Sequence, residues 1–582
     1  MGIDAAFPPP LKEGLGEDDR MSPSLWTDTN LLLGKHPVTP PQPSPQGEGA
    51  SQRRTGTRLT VPAALTALLL AGCGHSSSSR STANVFRVPV YTIFTSIDPT
   101  LASETYSIDV AQNSFEGLVM MGEDNQIHPC LAESWELSND GKTYTFHLRR
   151  NVKFHDGKTL EARDVKKSLE RSCGRALNAP MSSDYLNDIA GMRTFHSGET
   201  DGLGAIKVID PNTVSITLDA PRPYFLAKLT CPVAMIVDCD AIRDGVHIRS
   251  VKEMSGTGPF SYERYDEGQI VVQRAFDGYW GGRPKIDAIE RPVMRDAIAR
   301  LDAFKRGEID MVPQLVRSDY ASLLADPQFK GEVQLIDRAT LVYMGLNTRD
   351  WPDRRVRQAI AKAIDRDRIG SDTMMGTVIP AKGILPPSIP GYRANPAWCT
   401  YDVEAARRLL ADSGHAGGKG LPVLHVFFPM ENPDTGRIAD QIGAQLKETL
   451  GISVELDRMD AGTLITRQNR RELSCVATGW FADYIDPQNF LSMLLVSGVQ
   501  ENHWNYSNPE YDRLCGEADT CVDPKRRLDL YAQAEDLALQ DAAMIPICYW
   551  KMPAAIAHRV HGIRSYAGQY LPYSSVWIDG KR

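Results

Sequence analysis

From about residue 343 the sequence alternates amphipathic helices with apolar strands, and this alternation restricts the possible folds more than any other feature. Two segments place their apolar residues on one helical face: Val356, Ile360, Ala363 and Ile364 in the first, and Val403, Ala406, Leu409 and Leu410 in the second. Asp402 is a typical N-cap residue and Gly414 a typical stop, so the second helix is predicted between them.

A strand, a helix and another strand follow directly. Residues 423–428 form a largely apolar run, residues 435–450 predict a helix closed by Gly451, and residues 452–456 alternate as in a strand. Because a helix joins the two strands, we expect them to be parallel. Ligands of such sheets tend to bind near the carboxyl ends of strands or in a cleft between lobes.

The preceding part, from 84 to about 280, predicts strands and hairpins. Residues 143–149 alternate apolar and polar side chains after the turn signal at 139–141. Two hairpins are predicted around further turn signals: 206–209 with 214–218, and 260–265 with 269–274.

Upstream, an apolar run over residues 59–71 follows a basic segment and leads into Gly72 and Cys73. The run is too short to cross a hydrocarbon core of roughly 30 Å, so it predicts a removable export signal over 51–72. Its Leu-Ala-Gly-Cys end resembles a bacterial lipobox. The resemblance implies cleavage before Cys73, a diacylglycerol on its sulfur, and a flexible leash over 73–83 that holds the protein at the outer side of a membrane.

Residues 1–50 are rich in proline, glycine and charge and lack helix or strand periodicity. We expect them to be a disordered leader that contributes nothing to the fold. Export signals normally begin close to their basic region, so either translation starts downstream of Met1 or the leader is discarded.

The bulk properties exclude several classes of protein. A formal net charge of -9 argues against a nucleic-acid partner. After Cys73 no apolar run approaches the roughly 18 residues of a membrane-spanning helix. The chain beyond Cys73 exceeds what one hydrophobic core usually supports, so two or three lobes are expected.

Of the ten cysteines, all but Cys73 remain after lipidation. In an oxidising compartment the local pairs Cys231/Cys239 and Cys515/Cys521 could form disulfides, and buried unpaired thiols are the alternative. The chain contains no C-x-x-C motif, which weakens both a redox centre and a zinc knuckle.

Many ordered motifs carry a family resemblance. They include S-I-D-P-T (96–100), F-E-G-L-V (115–119), P-C-L-A-E-S-W-E (129–136), G-T-G-P-F (256–260), G-Y-W-G-G-R-P-K-I-D (278–287), G-E-I-D (307–310) and G-W-F-A-D-Y-I-D-P (479–487). Over about residues 84–582 the chain resembles the family 5 extracellular solute-binding proteins of ABC importers, the group of oligopeptide, dipeptide and nickel receptors.

The resemblance implies an α/β fold: a type II periplasmic-binding-protein clamshell of two α/β lobes with an inserted extra domain. Lobe I would comprise 84–125, 254–342 and 546–582, domain II would comprise 126–253, and lobe III would comprise 343–545. The lobes would close on a ligand by a hinge, and ABC permease and ATPase subunits would read the closed form. A monomer without a cofactor is the family's expectation.

In oligopeptide receptors of this family an aspartate in a W-x-A-D-Y segment pairs with the peptide's α-ammonium, and Asp483 occupies that place. A closing cleft must neutralise this charge, since an unpaired buried charge is very costly. Backbone groups would pair with the peptide as an added strand does, which suits broad specificity. The residues implied in this pairing or in closing the pocket are Gly479, Trp480, Phe481, Ser103, Glu104, Thr105 and Tyr185.

Two positions depart from the family pattern. Well-known oligopeptide receptors have a Trp, and an Arg that can meet the peptide's carboxylate, where this chain has Ala461 and Ala477. Smaller and less cationic pocket walls leave a non-peptide solute open. Arg467, Arg470 and Arg471 either compensate or form a solvated face.

Other chemistry is mostly absent from the sequence. There is no G-x-S-x-G nucleophile elbow, no H-E-x-x-H zinc helix and no intact phosphate-binding loop. His558 and His561 are spaced so that they point to opposite faces of a strand, which disfavours a metal pair, and His503 is interpreted as a cleft or surface residue. A peptide receptor, a receptor for a metal chelate, opine or sugar, and a secreted enzyme or signalling receptor without a transporter remain as alternatives.

Overall fold

The computed structural model describes residues 84–92, 96–103, 105–179, 181–564, 567–568 and 571–580. The predicted leader, signal, leash and lipid-bearing Cys73 lie outside the described residues, as does Glu104. Regular structure in the described part runs from Val85 to Ile578.

The described strands are β1 (Val85–Arg87), β2 (Val119–Met121), β3 (Ile127–Pro129), β4 (Ala132–Leu137), β5 (Thr143–Leu148), β6 (Ile206–Asp210), β7 (Thr213–Thr217), β8 (Phe260–Asp266), β9 (Ile270–Ala275), β10 (Ala288–Pro292), β11 (Met311–Val312), β12 (Val333–Asp337), β13 (Thr340–Leu346), β14 (Val378–Pro380), β15 (Leu424–Pro429), β16 (Val454–Met459), β17 (Cys475–Phe481), β18 (Met544–Ile556), β19 (Val560–His561) and β20 (Trp577–Ile578).

The described helices are α1 (Thr105–Ala111), α2 (Ala162–Cys173), α3 (Ser182–Tyr185), α4 (Met192–Ser197), α5 (Phe225–Lys228), α6 (Ala297–Lys305), α7 (Arg317–Ala325), α8 (Arg354–Ala363), α9 (Arg366–Arg368), α10 (Val403–Asp412), α11 (Pro433–Leu450), α12 (Ala461–Asn469), α13 (Ser492–Leu495), α14 (Pro509–Thr520) and α15 (Pro524–Asp541). None of them has the length and apolar character that crossing a bilayer requires.

One sheet joins β1, β10, β9 and β8 in that order. β1 pairs with β10 in parallel, and the other neighbours are antiparallel. The predicted hairpin over 260–265 and 269–274 is confirmed as β8 and β9. Phe86, Phe260 and Ile289 are buried on this sheet, because aromatic and β-branched side chains fit a pleated, covered surface.

A second sheet, in the order β4-β5-β7-β6, is antiparallel throughout and takes all its strands from residues 132–217. The predicted alternating strand is β5, where Tyr144, Phe146 and Leu148 are buried and the residues between them are half-buried. The predicted hairpin over 206–218 is confirmed as β6 and β7.

The largest sheet has eight strands in the order β11-β18-β13-β17-β15-β16, with β12 and β14 also pairing with β18. The predicted strand-helix-strand unit is confirmed. β15 and β16 are parallel, with Leu424 opposite Val454 and Pro429 opposite Met459. Between them α11 ends at Gly451, whose φ of 69° is a left-handed conformation that favours glycine.

The two helices predicted from apolar spacing are confirmed as α8 and α10. The side chain of Asp402 accepts a hydrogen bond from the backbone N–H of Ala405 at 2.8 Å, as an N-cap does. Such a cap contributes about 1 kcal/mol. Val356 and Ile360 of α8 and Ala406 of α10 are buried, so the predicted faces pack inward.

Two chain segments connect the halves of the largest sheet. The 13 residues of β18 pair through 544–550 with β13 and β14, and through 551–556 with β11 and β12. The consecutive strands β12 and β13 are separated only by Arg338 and Ala339. The β12–β13 connection and β18 therefore lie side by side. The lobe boundaries given above stay predictions.

The two disulfides considered from the sequence do not form, because all nine cysteines of the described part are free. Cys231 is buried and its thiol donates to the carbonyl oxygen of Asp483 at 3.4 Å. Cys515 is buried in α14, while Cys521 lies at the end of that helix. Burial raises the pKa of the Cys231 and Cys515 thiols, which disfavours the reactive thiolate.

Candidate functional site

A cavity of about 520 Å³ lies where the two connections of the largest sheet pass each other. Its walls come from elements far apart in sequence: the start of α1, the segment 314–317, residues 338–340, the N-terminus of α11, the end of β17 and residues 550–553. A volume of this kind fits a small ligand.

Two aromatic rings form an apolar part of this cavity. Phe481 at the end of β17 and Trp550 in β18 meet edge to face, with ring centroids 5.9 Å apart. Phe481 is 43% exposed, so its ring is available for stacking on a ligand.

The same cavity is lined by more basic than acidic side chains. Asp434 at the N-terminus of α11 is shared by Arg317 (Nε to Oδ2, 2.7 Å) and Arg437 (Nη1 to Oδ1, 2.7 Å). Lys551 pairs with Asp337 at 3.1 Å. Most of these charges are therefore already matched within the protein.

Arg338 is bonded differently. Its guanidinium donates to the carbonyl oxygen of Gly568 and approaches the sulfur of Met552 at 3.3 Å. Across the described residues it makes no ion pair. Burial lowers the pKa of this arginine, because the charged form is poorly solvated there.

Sequence reasoning did not single out Arg338, Trp550 or Lys551. All three lie at the two connections between the halves of the sheet. Arg338 lies in a two-residue break between β12 and β13, strands that the sequence analysis did not predict, so no sequence signal placed it in a cavity wall.

Asp483, the predicted ligand-binding acid, follows directly on β17. The Nδ2 of Asn489 donates to its carboxylate at 3.1 Å, and the Oδ1 of Asn489 accepts from its backbone N–H at 3.1 Å. The phenol of Tyr185 lies close to this carboxylate: burial raises the pKa of the phenol, and the charge of the carboxylate adds to this rise. The structure thus brings Asp483 and Tyr185 together, while the lining of the 520 Å³ cavity ends one residue earlier, at Ala482.

The surroundings of Asp483 are acidic. Burial, with the nearby charges of Asp184 and Asp483, raises the pKa of Glu501 to about 7. Glu501 and Asp184 also line a second cavity of about 260 Å³ with Lys228 and Asp519. Burial raises the pKa of Asp519 to about 6.

The buried ammonium of Lys228, with the guanidinium of Arg222 3.1 Å from Asp188, offsets part of this acidic charge. The Nζ of Lys228 lies 2.7 Å from Oδ2 of Asp188, and both side chains are less than a tenth exposed. The same Nζ donates to the carbonyl oxygen of Asp184 at 3.0 Å. Because Lys228 ends α5 and Asp184 belongs to α3, the pair joins two helices.

The predicted backbone contacts Gly479 and Trp480 lie in β17. One edge of this strand is fully paired with β13, from Cys475 opposite Leu346 to Phe481 opposite Thr340. On the other edge β15 pairs at a single position, Val476. In the described part no other strand covers that edge, so residues 478–481 can accept an added strand.

The three residues predicted to contact the ligand from across the cleft differ in their position relative to the 520 Å³ cavity. Thr105 begins α1 and lines the 520 Å³ cavity. Ser103 is exposed and is not part of that lining. Glu104 lies outside the described residues.

The two alanines that depart from the family pattern do not enlarge the cavity. Ala477 is 1% exposed within the core beside β13 and β15, and Ala461 begins α12. The arginines considered as compensation are engaged elsewhere: Arg467 pairs with Glu472 at 3.3 Å, and Arg471 donates to backbone oxygens of residues 499 and 502. None of them lines the cavity.

The described residues contain one group of acids close enough to share a cation: Asp164, Asp238 and Asp240. The ammonium of Lys158 already lies 2.7 to 2.9 Å from all three carboxylates. This lysine supplies the positive charge that the cluster requires. His561 pairs with Asp579 at 3.1 Å and stacks on an indole, apart from any such group.

Comparison with known proteins gives a family and close sequence relatives. A family model described as "Bacterial extracellular solute-binding proteins, family 5 Middle" matches residues 126–502. The chain is 30% identical over 457 residues to the dipeptide-binding protein of Escherichia coli K12, covering 75% of this chain and 83% of that protein. It is also 30% identical over 555 residues to heme-binding protein A of Haemophilus influenzae, covering 90% of this chain and all of that protein.

Solved structures share the fold. The murein tripeptide binding protein MppA of Escherichia coli aligns with a TM-score of 0.72 and 23% identity over 86% of this chain and 99% of that chain. NikA from Brucella suis, solved with Fe(III)-EDTA, aligns with a TM-score of 0.75 and 24% identity over 85% of this chain and all of that chain. The expected type II periplasmic-binding-protein fold is confirmed.

Proposed function

The chain belongs to family 5 of the bacterial extracellular solute-binding proteins, and we propose that it is the receptor of an ABC importer that captures peptides and delivers them to the membrane permease. Relatives named for dipeptide and glutathione binding support this proposal. A peptide is a zwitterion with a polar backbone, so its receptor needs an acid for the ammonium, a strand edge for the backbone and space for side chains.

The observation that carries the proposal is the setting of Asp483. Asn489 donates a hydrogen bond to its carboxylate, the phenol of Tyr185 lies close to it, and Glu501 and Asp184 add further acidic groups nearby. A peptide ammonium is the charge that such a site stabilises. Fixing the acid in advance lowers the entropy that binding must offset.

Backbone recognition would use the uncovered edge of β17. A peptide laid along residues 478–481 pairs through main-chain groups, which do not distinguish side chains. Its side chains would enter the 520 Å³ cavity and meet Thr105 and Phe481. This arrangement gives broad specificity with a preference for apolar or stackable side chains.

Closure would bring lobe I (84–125, 254–342 and 546–582) towards lobe III (343–545), with domain II (126–253) contributing Tyr185. The two neighbouring connections would act as the hinge, since bending there needs no other covalent link to move. Ligand that binds the closed form more tightly shifts the protein towards the form that permease and ATPase subunits engage.

Anchoring would place this receptor beside its transporter. Cleavage before Cys73 and a diacylglycerol on its sulfur supply two acyl chains, which is enough for stable membrane attachment. We expect a monomer on the extracytoplasmic face. Mass spectrometry of the mature N-terminal peptide should detect the lipid, and Cys73→Ser should release the protein from the membrane fraction.

The ammonium site is tested with trialanine and its N-acetylated form, using calorimetry on the wild type and on Asp483→Asn. Breaking a buried charge pair costs about 3–5 kcal/mol, so removing either partner should weaken binding roughly a hundredfold or more. The two peptides should bind equally weakly to Asp483→Asn. Asp457→Asn, a half-buried acid on β16 that pairs with His425, is the matched control and should bind like the wild type.

An unchanged affinity of Asp483→Asn for trialanine would show that Asp483 does not bind the peptide ammonium. Failure of the wild type to bind dialanine, trialanine and tetra-alanine would contradict the peptide assignment itself.

A second candidate is a non-peptide anionic solute. The excess of basic side chains in the 520 Å³ cavity favours it, and the heme-binding relative and the Fe(III)-EDTA complex of NikA show that other ligands occur on this fold. Native mass spectrometry of the protein as purified distinguishes the candidates, because a retained ligand reports its mass directly.

A further inference from the structure

The side chain of Arg317 belongs to one half of the largest sheet and is bonded to the other. The first half comprises β11, β12 and residues 551–556 of β18, and the second half comprises β13 to β17 with residues 544–550. Arg317 begins α7, which lies between β11 and β12 in the chain.

The partners of this guanidinium all lie in the second half. Its Nε is 2.7 Å from Oδ2 of Asp434, in the first turn of α11. Its Nη1 donates to the hydroxyl of Thr377 and, at 3.4 Å, to the carbonyl oxygen of the same residue. Its carbon Cζ lies 6.0 Å from the ring centroid of Trp550. The side chain of Arg317 is 5% exposed, so these contacts are shielded from water.

The second half holds these partners in place for the guanidinium. Thr377 is fully buried, and its hydroxyl donates to the carbonyl oxygen of Met374, which leaves the hydroxyl oxygen free to accept from Arg317. Asp434 also accepts from Arg437, three residues further along α11. The socket for Arg317 is therefore fixed by contacts within the second half.

This contact is singular among the charges of the first half. Of the ion pairs that residues 311–337 and 551–556 make with described residues, only the pair with Asp434 reaches the second half; Lys551 and Asp337 both belong to the first. Moving the two halves apart would leave a guanidinium without its carboxylate. Because losing one partner of a shielded charge pair is strongly unfavourable, the pair favours the arrangement in which the halves are together.

We infer that Arg317 is a latch between the two halves: its pairing with Asp434 stabilises the closed arrangement of the clamshell and so raises the affinity for every ligand held there. This role rests on the proposed capture of peptides between the lobes. The latch acts without touching the ligand. It raises the fraction of the protein in the binding-competent arrangement, and the observed dissociation constant falls in inverse proportion to that fraction.

The first test is calorimetry with trialanine and trialanine C-terminal amide, on the wild type, Arg317→Met and Asp434→Asn. Coupling between a conformational contact and a binding site typically changes affinity by roughly fivefold or more, so both variants should bind more weakly by that factor. The factor should be the same for the two peptides, because the latch touches neither. Combining both substitutions should weaken binding no further than the stronger single variant, since both break the same pair.

The second test is small-angle X-ray scattering without peptide, which a ligand contact would not affect. The radius of gyration of Arg317→Met should exceed that of the wild type, and saturating trialanine should reduce the difference. Asp434→Asn should show the same change and is the milder variant, because this side chain is 25% exposed. Circular dichroism checks that both variants are folded.

Arg87→Met is the matched control. The Nε of Arg87 lies 3.0 Å from Oε2 of Glu290, but these residues pair within one four-stranded sheet and neither lines the cavity. This variant should leave the affinity and the radius of gyration unchanged.

The outcomes separate the latch from the function on which it rests. Wild-type affinity in both Arg317→Met and Asp434→Asn overturns the latch, as does an unchanged radius of gyration in both. A loss confined to one of the two peptides identifies a direct ligand contact and also overturns it. If the wild type binds neither peptide, the peptide function fails, while the scattering still decides the latch: a wider Arg317→Met supports it.

Discussion

The 520 Å³ and 260 Å³ cavities differ in both charge and construction. The larger cavity has an excess of basic side chains, and its ion pair between Lys551 and Asp337 is partly exposed. The smaller one is acidic, and its cation Lys228 is buried against Asp188. Exposed charges can exchange a protein partner for a ligand, whereas buried pairs hold elements together. We therefore expect removal of Lys228 to lower stability more than removal of Lys551.

The largest expected effect is on stability, from Lys228→Met. Removing this ammonium leaves Asp188 with Arg222 as its remaining cation, at 3.1 Å, so the free energy of unfolding should fall by about 1–3 kcal/mol. Urea unfolding followed by circular dichroism measures the change. The equivalent variant of the basic cavity, Lys551→Met, breaks a partly exposed pair and should change stability by about 1 kcal/mol or less.

Equal losses in Lys228→Met and Lys551→Met would contradict the division between the two cavities. Adding Asp188→Asn to Lys228→Met should recover part of the lost stability, because the buried charge is then removed with its partner.

A smaller effect is expected from the pH dependence of Glu501. Its pKa is raised to about 7 in the folded protein, so the folded state keeps a proton that the unfolded state releases from its ordinary value of 4.5 upwards. Stability should therefore fall as the pH rises from about 4.5 to 7. Burial lowers the pKa of the neighbouring His503 to about 4, from an ordinary value of 6.5. Its contribution to stability therefore rises with pH between about 4 and 6.5, opposite to that of Glu501, and the Glu501 contribution is obtained as the difference between the wild type and a variant without this carboxyl.

Glu501→Gln removes this titration. At pH 8 the variant should be more stable than the wild type by about 1–2 kcal/mol, since a shift of one pKa unit corresponds to about 1.4 kcal/mol and Glu501 is partly solvated. At pH 4 the two proteins should be equally stable. Urea titrations at both pH values check this. If the difference in the free energy of unfolding between the two proteins did not change with pH, Glu501 would be excluded as the titrating group.

The smallest effect concerns the apolar wall of the larger cavity. Phe481→Ala removes a ring that is 43% exposed, so stability should change by less than about 1 kcal/mol. Affinity for trialanine should fall roughly three- to tenfold, because ring contacts contribute about 0.5–1.5 kcal/mol. Trp398→Ala, an exposed aromatic outside the cavity lining, should leave calorimetric affinity unchanged. If both variants lost affinity for trialanine, the loss in Phe481→Ala could not be attributed to a ligand contact at Phe481.

The helices and hairpins were predictable because their signals are local. The Asp402 cap, the Gly451 stop and the alternation around Phe146 each depend on residues within a few positions, and each is present in the structure. The family motifs added the lobed fold and pointed to Asp483, since an ordered set of motifs carries tertiary information that periodicity lacks.

The cavity charges were not predictable in this way. Arg338 and Lys551 are far apart in the chain and become neighbours only because the β12–β13 break lies beside β18. The predicted Cys231/Cys239 disulfide was wrong although these residues are close in sequence. The thiol of Cys231 instead contacts the backbone of Asp483. Sequence proximity favoured a bond that the local packing does not make.

The position of β18 has a consequence for the order in which this molecule can assemble. All the strands of the 132–217 sheet belong to one continuous stretch, so it can form as soon as that stretch is available. The largest sheet needs residues 544–556 to join β11, β12 and β14 to β13. A chain emerging from its N-terminus thus keeps those edges unpaired until almost its whole length is present, and chaperones acting on the emerging chain have that interval in which to protect them.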